Sequence, residues 1–205
     1  MEEKKTYTVG LTGPTGSGKT TLGALFEKKG FAVLDCDKYA RRITRPGSPA
    51  LADLAAEFGD DIILPDGSLD RALLAERAFS SEEGRKRLNE LTHPRIIAML
   101  KADINRAHKR GRHAVIDAPL LFEAGLESIC DTTLAVTAPE ETRIHRVMAR
   151  DGIDREQAAL RVMAQKPDEY YISRAGYSLN NNGSREQLLR DAESVIDEIL
   201  KGGTD

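Results

Sequence analysis

Short apolar runs alternate with amphipathic stretches along most of this chain. Tyr7–Leu11 is a compact apolar run that predicts a buried strand, and Thr20–Lys29 carries helical spacing up to a stop at Gly30. Phe31–Asp35 predicts a second strand. Pro46-Gly47 breaks the pattern, after which Ser48 is placed to cap a helix with Pro49 in its first turn, running to Phe58 before Gly59. Pro65-Asp66-Gly67 predicts a turn.

From Leu69 to Lys109 the pattern is helical throughout, with helices expected at Leu69–Phe79, Glu82–Leu91 and Pro94–Lys109. Alternation then resumes. His113–Asp117 and Asp131–Thr137 read as strands, Pro139–Arg150 and Asp154–Gln165 as helices, and Tyr177–Leu179 as a short last strand. Ser184-Arg185-Glu186-Gln187 is a capping box opening a helix to about Leu200. This order predicts an α/β protein with a parallel sheet. The expected division is a core of residues 1–60, 112–140 and 176–205, a helical insertion over 61–111 that covers a substrate, and a helical lid over 141–175.

Composition narrows the setting. Among 205 residues, 40% are hydrophobic and 31% charged, an ordinary globular balance. A net charge of −3 argues against nucleic acid as a bulk partner. Cys36 and Cys130 form neither a disulfide framework nor a metal motif, so a reducing cytoplasm is expected. Met1-Glu2-Glu3-Lys4-Lys5 has no apolar signal region, and no stretch is long enough to span a membrane.

The first candidate for chemistry is Gly13-Pro14-Thr15-Gly16-Ser17-Gly18-Lys19-Thr20, which fits G-x-x-x-x-G-K-[ST] at every required position. It sits between a predicted strand and a predicted helix, where backbone N–H groups and the helix dipole converge on phosphate. Lys19 is expected to reach the β- and γ-phosphates, and the Thr20 hydroxyl to ligate Mg²⁺. Asp35 and Asp37 lie at the end of the second predicted strand, the edge where open α/β sheets bind ligands. Either could take a proton from an acceptor hydroxyl, and either could cap the next short helix. Asp117 ends an apolar strand and is the expected carboxylate near Mg²⁺, followed by a candidate active-site loop, Ala118-Pro119-Leu120-Leu121-Phe122-Glu123. Arg143, Arg146 and Arg150 share a helix face, with Arg155 and Arg161 on the next helix. Such a stripe suits polyphosphate on a closing lid, or a solvated face paired with Glu140, Glu141 and Asp151.

Taken in order, several segments resemble the dephospho-CoA kinase family. They are Val9-Gly10-Leu11-Thr12-Gly13 with Gly16–Thr21, Leu34-Asp35-Cys36-Asp37 with Ala40-Arg41, Asp66-Gly67-Ser68-Leu69-Asp70-Arg71, His93-Pro94, and Asp117–Glu123. Arg146–Asp151 and Arg161–Gln165 extend the match. The resemblance implies a P-loop NTPase core like that of nucleoside monophosphate kinases, in three layers, with a helical coenzyme-A-binding domain and a lid. It implies ATP-dependent phosphorylation of the ribose 3′-hydroxyl of dephospho-CoA, with Mg²⁺ accompanying ATP. By position, Asp37 is the general base, assisted by Lys19 and Arg146. The ATP site takes in Gly13–Thr21, Arg146, Arg150 and Asn181; Asp35, Asp37, Arg41, Arg71, His93, Asp117, Leu120 and Phe122 face the acceptor; Thr20 and Asp117 serve the metal. A monomer or small homo-oligomer is expected. The chain departs from the family at Pro14-Thr15, usually Gly then an aliphatic residue, and at Ala175-Gly176, more often Ala-Asp, while Asn181 and Gly183 still fit. A nucleoside or nucleotide kinase shares these generic parts. A nucleotide-switched binding protein would need a guanine-reading Asn-Lys-x-Asp or an ABC-type Leu-Ser-Gly-Gly-Gln, and neither is present.

Overall fold

The computed structural model describes residues 5–202; the start of the Met1–Lys5 stretch and the last three residues lie outside them. In chain order, the first elements are β1 (Thr8–Thr12), α1 (Lys19–Lys28), β2 (Ala32–Asp35), α2 (Cys36–Ile43), α3 (Pro49–Phe58), α4 (Arg71–Phe79) and α5 (Glu82–His108). They continue with β3 (Ala114–Asp117), β4 (Thr132–Thr137), α6 (Glu140–Asp151), α7 (Arg155–Met163), α8 (Asp168–Ile172), β5 (Tyr177–Asn180) and α9 (Arg185–Leu200).

The five strands form one sheet in the order β2-β3-β1-β4-β5. β1 runs parallel to β3 and β4, with Leu11 paired to Asp117 on one side and to Leu134 on the other. β4 runs parallel to β5. Because β1 is central, it is covered on both faces and reads as a continuous apolar run rather than an alternating one. Leu22, Leu25 and Phe26 of α1 and Leu188, Ala192, Ile196 and Ile199 of α9 pack in one core with Val9, Leu11, Val115, Leu134 and Val136 of the sheet. Their spacing is that of a single helix stripe. Phe26 meets Phe31 edge to face, with ring centroids 4.9 Å apart.

Two compact units divide the chain, one formed by residues up to Leu34 and from Ile104 onward, the other by Asp35–Asp103. The first holds the sheet core and a smaller cluster in which Ile144 and Val147 of α6 pack against Ala158 and Val162 of α7. The second is helical. Leu51, Leu54 and Ala55 of α3 bury against Ile62, Leu69, Leu74 and Ala78, and an isolated antiparallel bridge joins Ile63 to Leu69. Within this unit Tyr39 donates to Asp103 at 2.6 Å, tying α2 to α5, and burial with that carboxylate pushes the phenol pKa up. Within Asp35–Asp103, α3 buries its apolar face on α4.

Three local expectations change. The helices expected at Glu82–Leu91 and Pro94–Lys109 are one, α5, with Pro94 inside it. Proline removes one N–H from the ladder, and around it the Arg95 guanidinium donates to the Leu91 carbonyl at 2.5 Å while the Thr92 hydroxyl donates to Leu88 at 2.7 Å. The helix expected from Leu69 starts at Arg71, since Asp70 caps it by accepting from the N–H groups of Ala72 and Leu73. Finally, the five-residue helix α8 occupies a stretch where no element is expected from sequence.

Phe26→Ala removes a fully buried ring from the α1–sheet contact. It is expected to cost about 3–5 kcal/mol in a urea unfolding titration; a loss below about 1 kcal/mol would contradict this packing.

Candidate active site

The sharp turn out of β1 sets the site. Gly13, Gly16 and Gly18 all have positive φ. At Gly16 a side chain would fall 2.8 Å from the Arg143 carbonyl oxygen, and at Gly18 it would collide with the Asn181 amide. The loop is thus pressed from α6 on one side and from the segment after β5 on the other, and only glycine fits at these points. Its carbonyls are held in place. Asn181, itself buried, donates from Nδ2 to the Ser17 carbonyl at 2.7 Å. Arg146 donates from one terminal nitrogen to the Gly16 carbonyl at 3.1 Å and, more weakly, to that of Ser17. Carbonyls fixed outward leave the amide edge of the loop as the anion-binding face.

Lys19 opens α1 and donates to the Asp117 carboxylate at 2.8 Å, both side chains being about one-fifth exposed. The parallel pairing of β1 with β3 places the ends of the two strands in register, so the loop lysine and the strand-terminal aspartate meet. Thr20, in the first turn of α1, is exposed. A hydroxyl and a carboxylate are hard oxygen donors that suit Mg²⁺. Among the described residues there is no group of three or more His, Cys, Asp or Glu side chains able to hold a metal by themselves.

The arginine stripe divides. Arg143 is not on the exposed face with the others but buried, 3.8 Å from Asp168 of α8, with two of its nitrogens lacking a hydrogen-bond partner. Burial raises the Asp168 pKa, and Arg143 opposes that rise. Arg150 is gripped by Asp151 at 2.6 Å and reaches the Thr15 hydroxyl at 3.4 Å. Arg161 also pairs with Asp151, and Arg155 with Glu141. Arg150, Arg155 and Arg161 thus fit the reading of a solvated face paired with Glu141 and Asp151.

The other expected residues are placed as follows. Asp35 caps α2, accepting from the N–H groups of Asp37 and Lys38, and pairs with Lys38 at 3.5 Å. Asp37 and Arg41 are exposed on α2. Arg71 donates to the Thr44 hydroxyl at 2.9 Å. His93 is half-buried on α5, and burial lowers its pKa. All five lie in the helical unit. In the sheet unit, Leu120 is 61% exposed, while Phe122 packs edge to face on Tyr170 of α8. Pro14 is buried, and Thr15 and Thr21 are partly covered. Sequence reasoning missed Gln165, whose side-chain oxygen accepts from the Thr15 N–H at 2.7 Å. Its place at the end of the family-like segment Arg161–Gln165 was a signal, but that does not reveal a contact 150 residues away.

The dephospho-CoA kinase family profile matches residues 7–187, a span that contains every candidate site residue described above and stops within the first turn of α9. The chain belongs to the dephospho-CoA kinase family. This kinase is 43% identical to a dephospho-CoA kinase of Corynebacterium glutamicum over 94% of its own length and 96% of the relative's. It is 38% identical to that of Geobacillus kaustophilus over 93% and 96%. Among solved structures, a Thermus thermophilus protein superposes with a TM-score of 0.80 at 38% identity, covering 96% of this chain and 99% of that one. The dephospho-CoA kinase of Campylobacter jejuni gives 0.70 at 26% identity, covering 95% and 98%. A shikimate kinase of Acinetobacter baumannii, at 16% identity and a TM-score of 0.57 with 98% and 97% covered, shares the fold.

Asn181→Ala removes the donor to the Ser17 carbonyl inside a buried contact. Stability is expected to fall by about 1–2 kcal/mol, and KM for ATP to rise; unchanged urea and ATP titrations would show that the loop is held without it.

Proposed function

We propose that this kinase transfers the γ-phosphoryl group of ATP to the ribose 3′-hydroxyl of dephospho-CoA, with Asp37 as general base and with Lys19 and Arg146 stabilising the transferred charge. The observation that carries this reading is the phosphate loop whose Lys19 is held 2.8 Å from the Asp117 carboxylate, in a chain matched by the family over residues 7–187. Fold alone does not choose an acceptor; the family does.

In this reading the loop amides of Gly13–Thr21 hold the β-phosphate, and Lys19 reaches the γ-phosphate. Thr20 and Asp117 would hold Mg²⁺, which would supply positive charge that offsets the charge on the transferred phosphoryl group. Asp35, Arg41, Arg71 and His93 are the acceptor-binding candidates of the helical unit, and Leu120 and Phe122 those of the sheet unit. Asp37 takes the proton of the 3′-hydroxyl as its oxygen forms a bond to the γ-phosphorus, and the bond to the β–γ bridging oxygen breaks to release ADP. The region 141–175 acts as the lid: Arg146 and Arg150 neutralise phosphate charge and closure excludes water, which limits transfer to water instead of the acceptor. Asn181 braces the loop from below the nucleotide. Among the described residues no helix is long and apolar enough to cross a membrane.

The test is ADP release from Mg·ATP with dephospho-CoA run beside AMP, CMP, UMP and simple nucleosides. Stimulation by dephospho-CoA alone, with coenzyme A as product, is expected; stimulation by a different acceptor would overturn the assignment. Asp37→Asn is expected to lower kcat by about 10²–10⁴-fold with little change in ATP binding, as for loss of a general base. Near-normal turnover of that variant would remove Asp37 from the role. Lys19→Ala is expected to weaken ATP binding and turnover together, and unchanged kinetics would contradict the loop assignment.

A further inference from the structure

The stretch from Gln165 through α8 touches both substrate-facing loops of the sheet unit. At its start, the Gln165 side-chain oxygen accepts the Thr15 N–H, a backbone donor of the phosphate loop, at 2.7 Å. Five residues later, the Tyr170 ring meets Phe122 edge to face at 6.3 Å, and burial, with the nearby Glu123 carboxylate, raises the Tyr170 phenol pKa. Phe122 and Glu123 end the loop that leaves β3 after Asp117 and that exposes Leu120. The ring is held in turn. The Arg174 guanidinium stacks 4.1 Å from its centroid, and Tyr171 packs edge to face against it at 5.3 Å. Tyr171 is buried on the same helix, which is anchored from α6 by the buried Arg143 beside Asp168.

These contacts point to a physical link between the two loops. Only four residues, Lys166 to Glu169, separate the side chain on the phosphate-loop amide from the one on the acceptor-side loop. A packed helix with a locked aromatic ring transmits displacement rather than absorbing it. The Thr15 N–H cannot donate fully to both Gln165 and an incoming phosphate oxygen, so nucleotide binding competes with the Gln165 contact.

We propose that Gln165 and Tyr170 are positioning residues that couple nucleotide occupancy of the phosphate loop to the placement of the loop 118–123, so that ATP and dephospho-CoA bind with mutual preference. This rests on the reading that Leu120 and Phe122 face the acceptor. Neither residue touches the reacting atoms; each acts through a loop it holds. Linkage makes the preference reciprocal: whatever ATP does for the acceptor, the acceptor does for ATP.

The experiment measures binding of dephospho-CoA by calorimetry with and without a non-hydrolysable ATP analogue and Mg²⁺. In the wild-type protein the analogue is expected to tighten dephospho-CoA binding about fivefold or more, the lower end of usual coupling between sites. In Tyr170→Ala and Gln165→Ala the enhancement is expected to vanish while affinity for the analogue alone changes less than about threefold for Tyr170→Ala, which lies away from the phosphate loop. Tyr170→Phe keeps the ring and is expected to retain part of the enhancement. Circular dichroism and thermal midpoints establish that each variant is folded, and Arg174→Ala, which loosens the ring without removing it, replaces Tyr170→Ala if that variant is not. Equal dephospho-CoA affinity with and without the analogue in the wild type would overturn the coupling, as would full enhancement in folded Tyr170→Ala. Leu120→Ala separates the premise from the proposal. If it leaves dephospho-CoA affinity unchanged, the acceptor reading of the loop fails; if it weakens that affinity while Tyr170→Ala retains full enhancement, the link through α8 fails alone.

Discussion

The turn from β1 into α1 has to leave a row of backbone amides facing a site while every carbonyl behind them finds a donor. That constraint organises the sheet unit. A buried amide or carbonyl without a partner costs on the order of 1–3 kcal/mol, and the Gly16 and Ser17 carbonyls of the loop find their donors elsewhere. Asn181 and Arg146 supply them from two elements far apart in sequence, and Gly16 and Gly18 are the positions where those elements press closest. The order β2-β3-β1-β4-β5 places β1 centrally, with β3 on one side and β4, followed by β5, on the other. The loop is therefore flanked by the chain that follows each neighbour.

Electrostatics refine the same arrangement. The Lys19–Asp117 pair is largely shielded from water, so the carboxylate has a real influence on where the ammonium rests. The arginines of α6 and α7 are graded in another way. Arg150, Arg155 and Arg161 are exposed and matched with carboxylates, and such pairs contribute little to stability. Arg143 is buried with incomplete hydrogen bonding, which is expensive unless it serves the placement of α8 and the loop beside it. The helical unit shows the simpler pattern of an apolar cluster rimmed by ion pairs, such as the forked Arg77–Asp61 contact at 2.6 and 2.5 Å.

Much of this was legible beforehand. The strand, Gly-rich turn and helix around Lys19 follow from local spacing, and the capping roles of Ser48 and Ser184 follow from short-range chemistry that operates wherever the chain goes. The ordered motifs that resemble the family were present as residues, and the profile match over residues 7–187 agrees with them. Other features were not legible. Pro94 reads as a helix boundary because it lacks an N–H, yet α5 continues through it, with side chains of Thr92 and Arg95 donating to nearby carbonyls. Local spacing left either Asp35 or Asp37 able to cap the next helix, and the backbone geometry of α2 makes Asp35 the cap.

By itself the sequence determined the β/α alternation, the phosphate loop and the carboxylates at strand ends, since each depends on contacts among residues a few positions apart. The tertiary structure alone decided which arginine is buried, that Gln165 holds the Thr15 amide, and that Tyr170 packs against Phe122 of the loop after Asp117. Those outcomes depend on which distant surfaces the sheet order brings together. The spacing of residues along a chain carries local geometry, but burial and partner choice are properties of packing.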